Sequence, residues 1–114
     1  MNKDFWDYLD ELVASTSIIT DRPKGSSHPL YPHIRYPINY GYLDGSKSGD
    51  GSGIDVWIGS MPVKDIVGIL VTVDLRKMDS EIKILIGCSE TEIILIQGFQ
   101  NTEQMKSLII RRQE

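Results

Sequence analysis

Apolar positions divide this chain into an amphipathic start, an irregular middle and a β-rich second half. Over residues 3–14, Phe5, Leu9, Leu12 and Val13 recur at spacings of four, three and one, the stripe of an amphipathic helix. Trp6 and Tyr8 widen that stripe, while Lys3, Asp10 and Glu11 are expected to face away. Asn2 is the expected N-cap, and Asp4 suits the positive end of the helix dipole. Such a helix covers a sheet. Residues 18–20 predict a short strand, stopped by Asp21, Arg22 and Pro23.

From residue 21 to 39 the pattern is lost. Four of the five prolines (Pro23, Pro29, Pro32, Pro37) lie here with both histidines, His28 and His33. Proline fixes φ and removes a donor, so an extended, stiff segment with little ladder pairing is expected. Irregular stretches of this length in a small domain usually serve a site. Residues 41–53 then hold five of the ten glycines, with Asp44 and Asp50 among them and Asp55 just beyond. They predict a loop whose backbone can approach a ligand closely.

Residues 54–58, 66–73, 82–86 and 92–97 are dense in β-branched side chains and predict strands. A last helix is expected over residues 102–112. Asn101 and Gln104 would cap it, Met105, Leu108 and Ile109 would form its apolar face, and Arg111 and Arg112 would suit its C-terminal end. The expected architecture is mainly β of the α+β class: one domain over residues 1–114, a small β-barrel or curled sheet flanked by an N-terminal and a C-terminal helix.

Composition narrows the chemistry. With 114 residues, 40% of them hydrophobic, there is room for one core. Twelve Lys and Arg against sixteen Asp and Glu leave a net charge of -4, which argues against nucleic acid held by phosphate neutralisation. No apolar run approaches a membrane span, and Lys3 and Asp4 stand where a leader would turn apolar. The single cysteine, Cys88, cannot form an internal disulfide and is expected to be a buried, inert thiol, so a soluble, cytoplasmic protein is expected.

Carboxylates cluster at the predicted turns: Asp50 and Asp55 bracket the glycine loop, and Asp74, Asp79 and Glu81 surround the turn before Lys83. Acids in turns are commonly solvated surface. Hard oxygen ligands gathered from several turns also suit Mg²⁺, and Lys24, Arg35 and Lys83 are the available cations. Metal, cations and glycine backbone together suit a small polyanion such as a phosphate ester or anhydride. Neither histidine stands at zinc-ligand spacing.

The order of the motifs goes further. Tyr36-Pro37-Ile38-Asn39-Tyr40-Gly41, then Asp50-Gly51-Ser52-Gly53-Ile54-Asp55-Val56, then the acidic turn ending at Lys83, resembles the soluble (family I) inorganic pyrophosphatases, with their YPxNYG segment, DGDPxDV loop and Asp-x-Lys turn. Upstream, Asp21-Arg22-Pro23-Lys24-Gly25-Ser26 is similar to the family's entry segment, and the resemblance covers residues 18–86. It implies an OB-like five-stranded barrel with Mg²⁺ at its mouth, where a metal-activated water splits pyrophosphate into two phosphates. By the same resemblance Asp50, Asp55 and Asp74 are metal ligands. A fourth acid is either Asp79, which keeps the family's distance from Asp74, or Glu81, which keeps its distance from Lys83. Lys83 would bind phosphate, Tyr40 the departing phosphate, and Tyr36 the same end of the cavity, with Lys24 or Arg35 secondary.

The departures point to a shortened relative. Ser52 replaces the acid that helps position or deprotonate the water, and a hydroxyl is a poor base near neutral pH. Leu75 replaces the acid after Asp74, and Ser27-His28-Pro29-Leu30-Tyr31 replaces a segment carrying a phosphate-binding lysine and a metal-binding glutamate. Two readings follow: a compact Mg²⁺-dependent hydrolase of pyrophosphate or another small phosphoanhydride, or a phosphate- and metal-binding relative with weak turnover. The family forms symmetric oligomers, but its outer elements are missing here, so a homo-oligomer stays open.

Overall fold

A computed structural model describes residues 3–113. Helix α1 (Lys3–Ala14) leads into strands β1 (Ser17–Arg22), β2 (Asn39–Asp44), β3 (Ile54–Ile58), β4 (Ile66–Asp74) and β5 (Asp79–Ile86). Helix α2 (Glu90–Phe99) and strand β6 (Met105–Arg111) follow. One six-stranded mixed sheet forms in the order β1-β2-β3-β5-β4-β6. Neighbours are antiparallel except β3 and β5, which run parallel. The sheet is open, with β1 and β6 at its edges, and the expected five-stranded OB-like barrel does not form. The sixth strand extends the sheet beyond β4, where a barrel would have to close on itself.

Two elements exchange the types expected of them. Residues 92–97, expected to be a strand, lie in α2. Ser89 accepts from the Glu92 amide and the Glu92 carboxylate accepts from the Ser89 amide, a complete capping box that starts a helix. Ile93 and Ile96, one turn apart, are its buried side. Conversely, the helix expected over 102–112 is β6. Its burial alternates from Met105 through Ser107 to Ile109, and it pairs with β4 along seven residues. Asn101, expected to cap that helix, accepts instead from the Ser107 amide and hydroxyl in the turn before the strand.

The start of the chain follows its pattern with one rotation. Trp6, at 5% exposure, anchors α1, while Phe5 is 44% exposed and Tyr8 75%. Asp10 does not face solvent alone: its carboxylate accepts from both terminal nitrogens of Arg112 at 2.8 Å, and that guanidinium lies 5.8 Å from the Trp6 ring. The expected Asn2 cap lies outside the described residues. The loop expected over 41–53 begins later, because residues 41–44 belong to β2. Gly41 is required there: a Cβ would stand 1.7 Å from the Ile19 carbonyl oxygen of β1.

Helices cover opposite faces. Under α1 lie Leu43, Val56, Ile66, Ile69, Ile84 and Ile86. Under α2 lie Trp57, Leu70 and Leu85, joined by Tyr36 and Ile38 from the proline-rich segment. That segment pairs only through an isolated bridge between Ser27 and Arg35, as its prolines predict.

Candidate functional site

The α2 face of the sheet is apolar at one end and charged at the other. Strand alternation and register bring Tyr40 opposite Trp57 and Tyr42 opposite Asp55, with Leu70 opposite Lys83, Thr72 opposite Glu81 and Asp74 opposite Asp79. β3 and β5 pair only through Val56–Ile58 and Ile84–Ile86. Beyond that ladder the two strands are joined by side chains. Lys83 Nζ donates to the Tyr40 hydroxyl at 2.6 Å and to Asp55 Oδ2 at 3.2 Å, and lies 5.0 Å from the centre of the Tyr40 ring. The lysine is nearly buried, with 9% of its surface exposed. A buried cation needs such partners.

Burial, and then the adjacent Asp55 carboxylate, push the Tyr40 hydroxyl far above the ordinary phenol range, so it remains a proton donor. Burial likewise raises the Tyr36 hydroxyl, opposed by the neighbouring Arg22 guanidinium. Glu81 is raised above the usual carboxylate range by desolvation, relieved by Lys83 and reinforced by the charges of Asp55 and Asp79. Lys77 lies 3.9 Å from both Asp79 and Glu81.

A cavity of about 510 Å³ opens beside Lys83. Its walls include Tyr36, Tyr40, Trp57, Asp74 and Lys83, and also His28, Tyr31, Arg76, Lys77 and Phe99. Rings dominate one wall. Tyr36 is its hub, with ring centres 4.9 Å from Phe99, 5.5 Å from Tyr40, 6.0 Å from Trp57 and 6.0 Å from a nearly parallel His28. His28 Nδ1 accepts from the Leu30 and Tyr31 amides, and burial, with Arg22 and Arg76 nearby, lowers its pKa. The Arg76 guanidinium donates to the Tyr31 hydroxyl at 2.9 Å, joining the proline-rich segment to the β4–β5 turn.

The expected site residues therefore divide. Tyr36, Tyr40, Asp55 and Lys83 come together, and Asp79 and Glu81 lie on the same face. Asp74 lines the cavity, but its Oδ1 accepts from the Arg76 and Lys77 amides and holds the turn in which Met78 adopts a φ of 56°. Asp50 is spent on its own loop, accepting from the Ser48 hydroxyl at 2.6 Å and the Ser52 amide at 2.9 Å. It borders a second cavity, of about 480 Å³, with Phe5, Leu9 and Ile54, and Asp79 and Glu81 line this cavity and not the larger one. Lys24 and Arg35 sit in the exposed proline-rich segment, where Arg35 donates to the Gly25 carbonyl, and neither lines the larger cavity. Cys88 is buried, which pushes its thiol up to about 12, as an inert thiol requires.

Among the described residues no three His, Cys, Asp or Glu side chains gather closely enough to hold a metal ion. Mg²⁺ does not require such a cage, since it commonly takes one or two carboxylates and completes its shell with water and phosphate. Asp55 and Glu81 suit that smaller role, both part-exposed and close enough for the charge of Asp55 to raise Glu81. Arg22, Tyr31, Arg76 and Phe99 are site residues that sequence patterning misses. Arg22 lies opposite Tyr40 across β1 and β2, a neighbour that only the strand register reveals.

No family model matches the chain, and no curated protein matches it. No helix among the described residues is long and apolar enough to cross a membrane.

Proposed function

We propose that this chain binds inorganic pyrophosphate with Mg²⁺ and hydrolyses it to two phosphates in the cytoplasm. The observation that carries this reading is the junction of Lys83, Tyr40 and Asp55. Three strands contribute a nearly buried cation, a protonated hydroxyl donor and a carboxylate to one junction, and its Lys83 and Tyr40 line the larger cavity. Lys83 and Tyr40 supply charge-assisted and neutral donors to phosphate oxygens, with Arg76 and Lys77 at the mouth adding positive charge. Tyr36 buttresses Tyr40 through ring contact. Asp55 and Glu81 would hold Mg²⁺, which supplies neutralisation of phosphate charge and acidification of water. The YPxNYG resemblance supports the same assignment, because Tyr36 and Tyr40 meet in this wall.

The test is phosphate release from pyrophosphate with and without Mg²⁺, on the wild type and Lys83→Met. Mg²⁺-dependent release that falls in the variant supports the reading; no release and no binding of pyrophosphate removes it. A second reading, binding with weak turnover, is favoured by Ser52, which is exposed and held to Asp50 by its amide in the outer loop. Because that loop is exposed and satisfied by its own hydrogen bonds, Ser52→Asp is expected to leave the rate unchanged.

A further inference from the structure

Pyrophosphate is a compact anion whose entire surface is charged or polar, and a site shaped for it alone would be walled by cations and amides. The cavity beside Lys83 is different. Its 510 Å³ lies within the range of pockets that hold drug-sized molecules, and aromatic rings form much of its wall. Trp57 and Tyr36 are closed off in the core, but His28 and Phe99 are half-buried and Tyr31 is 42% exposed. These three present ring surface to the open space. The cations Lys83, Arg76 and Lys77 line the same space together with the Asp74 and Glu103 carboxylates, so charge and ring surface share one cavity. Tyr31 joins the two, since its hydroxyl holds Arg76 while its ring neighbours His28 at 5.3 Å between centres.

We propose that the substrate or ligand of this site is a phosphate or diphosphate carrying a planar aromatic group, of the nucleoside-diphosphate kind, with its ring against Tyr31, His28 and Phe99 and its phosphates on Lys83 and Arg76. The inference rests on the phosphate reading above and narrows it. Stacking on an exposed ring is sequence-tolerant and typically strengthens binding by roughly five- to a hundredfold. The hydrogen bond from Arg76 holds the Tyr31 ring in place before the ligand arrives, which lowers the ordering cost of binding.

Calorimetric titration in Mg²⁺ buffer with pyrophosphate, ADP, inorganic phosphate and phenyl phosphate tests this on the wild type, Tyr31→Ala, Tyr31→Phe and Lys83→Met. ADP is expected to bind at least fivefold more tightly than pyrophosphate. Tyr31→Ala should remove that preference and Tyr31→Phe should keep most of it, losing only what the Arg76 contact contributes, while Lys83→Met weakens both anions. Phenyl phosphate outbinding inorganic phosphate by the same factor would mean that any flat ring suffices; a gain for ADP alone would assign the site to nucleosides. ADP binding no more tightly than pyrophosphate, or a preference untouched by Tyr31→Ala, overturns the aromatic inference and leaves the pyrophosphate reading standing. Failure of every anion to bind the wild type overturns both.

Discussion

On the α1 side of the sheet, Leu43, Val56, Ile69, Ile84 and Ile86 form a continuous apolar surface under Trp6, Leu9 and Val13. On the α2 side the same strands carry Trp57, Leu70 and Leu85 at one end and Asp55, Glu81 and Lys83 at the other. Burying charge weakens a core, so the second face yields stability at the end where the proposed anion would be held. The first face must therefore carry more of the fold. Ile84 and Lys83 are consecutive in β5 and point to opposite faces, which makes them the sharpest comparison.

Ile84→Ala should cost about 2–5 kcal/mol in urea unfolding and leave anion affinity in the folded protein nearly intact. Lys83→Met should reverse this pattern. Its stability loss is expected near 1 kcal/mol, because Asp55 is partly exposed and can rehydrate. Its pyrophosphate affinity should fall by at least tenfold. A Lys83→Met protein that melts like Ile84→Ala and binds like the wild type would make the lysine structural.

Mg²⁺ divides the faces in a second way. An ion that binds only the native state stabilises it by about 2.7 kcal/mol at a hundredfold excess over Kd, so millimolar Mg²⁺ should raise Tm. Asp55→Asn should remove most of that rise. Asp50→Asn should retain it, because the Asp50 carboxylate is held by the Ser48 hydroxyl and Ser52 amide of its own loop. Equal losses in both variants would place the ion elsewhere.

Tyr40→Phe tests the hydroxyl that Lys83 would share with a bound phosphate. Removing it should weaken pyrophosphate binding about fivefold, the value of one neutral hydrogen bond, with the ring packing on Trp57 preserved.

The smallest effect belongs to Glu81. Its folded pKa is raised, so the native state holds the proton more tightly than the unfolded chain does. Stability from this group therefore falls as pH rises above the ordinary glutamate range. Glu81→Gln should stabilise the protein at pH 7 by less than about 1 kcal/mol, and the difference should vanish below about pH 4. A gain that persists at pH 3 would show packing, not charge, to be its source.

Local patterning made much of this legible. The spacing of Leu9, Leu12 and Val13 predicts α1, and β-branched runs predict β3, β4 and the second half of β5. It failed where a short-range signal competed with composition. Three isoleucines between 93 and 96 suggested a strand, but Ser89 and Glu92 had already written a capping box, and the caps decided. Met105, Leu108 and Ile109 have helical spacing, yet β4 offered a free edge and tertiary pairing overrode the period. The site was legible in its motif residues Tyr36, Tyr40, Asp55 and Lys83. Its aromatic wall was not, because His28, Tyr31 and Phe99 converge from segments separated by some seventy positions, and nothing local records their meeting. The acidic cluster divided for a related reason: spacing alone cannot show that Asp50 and Asp74 use their carboxylates on their own turns.

The pairing of Asp10 with Arg112, across 102 positions, also sets an order of events in synthesis. Asp10 in α1 is made 102 positions ahead of the guanidinium that clamps it. Nascent α1 must therefore wait with its tryptophan incompletely sheltered, and β4, already emerged, must keep an edge open for β6. During that interval the tryptophan and the unpaired β4 edge are where aggregation should compete most strongly with folding.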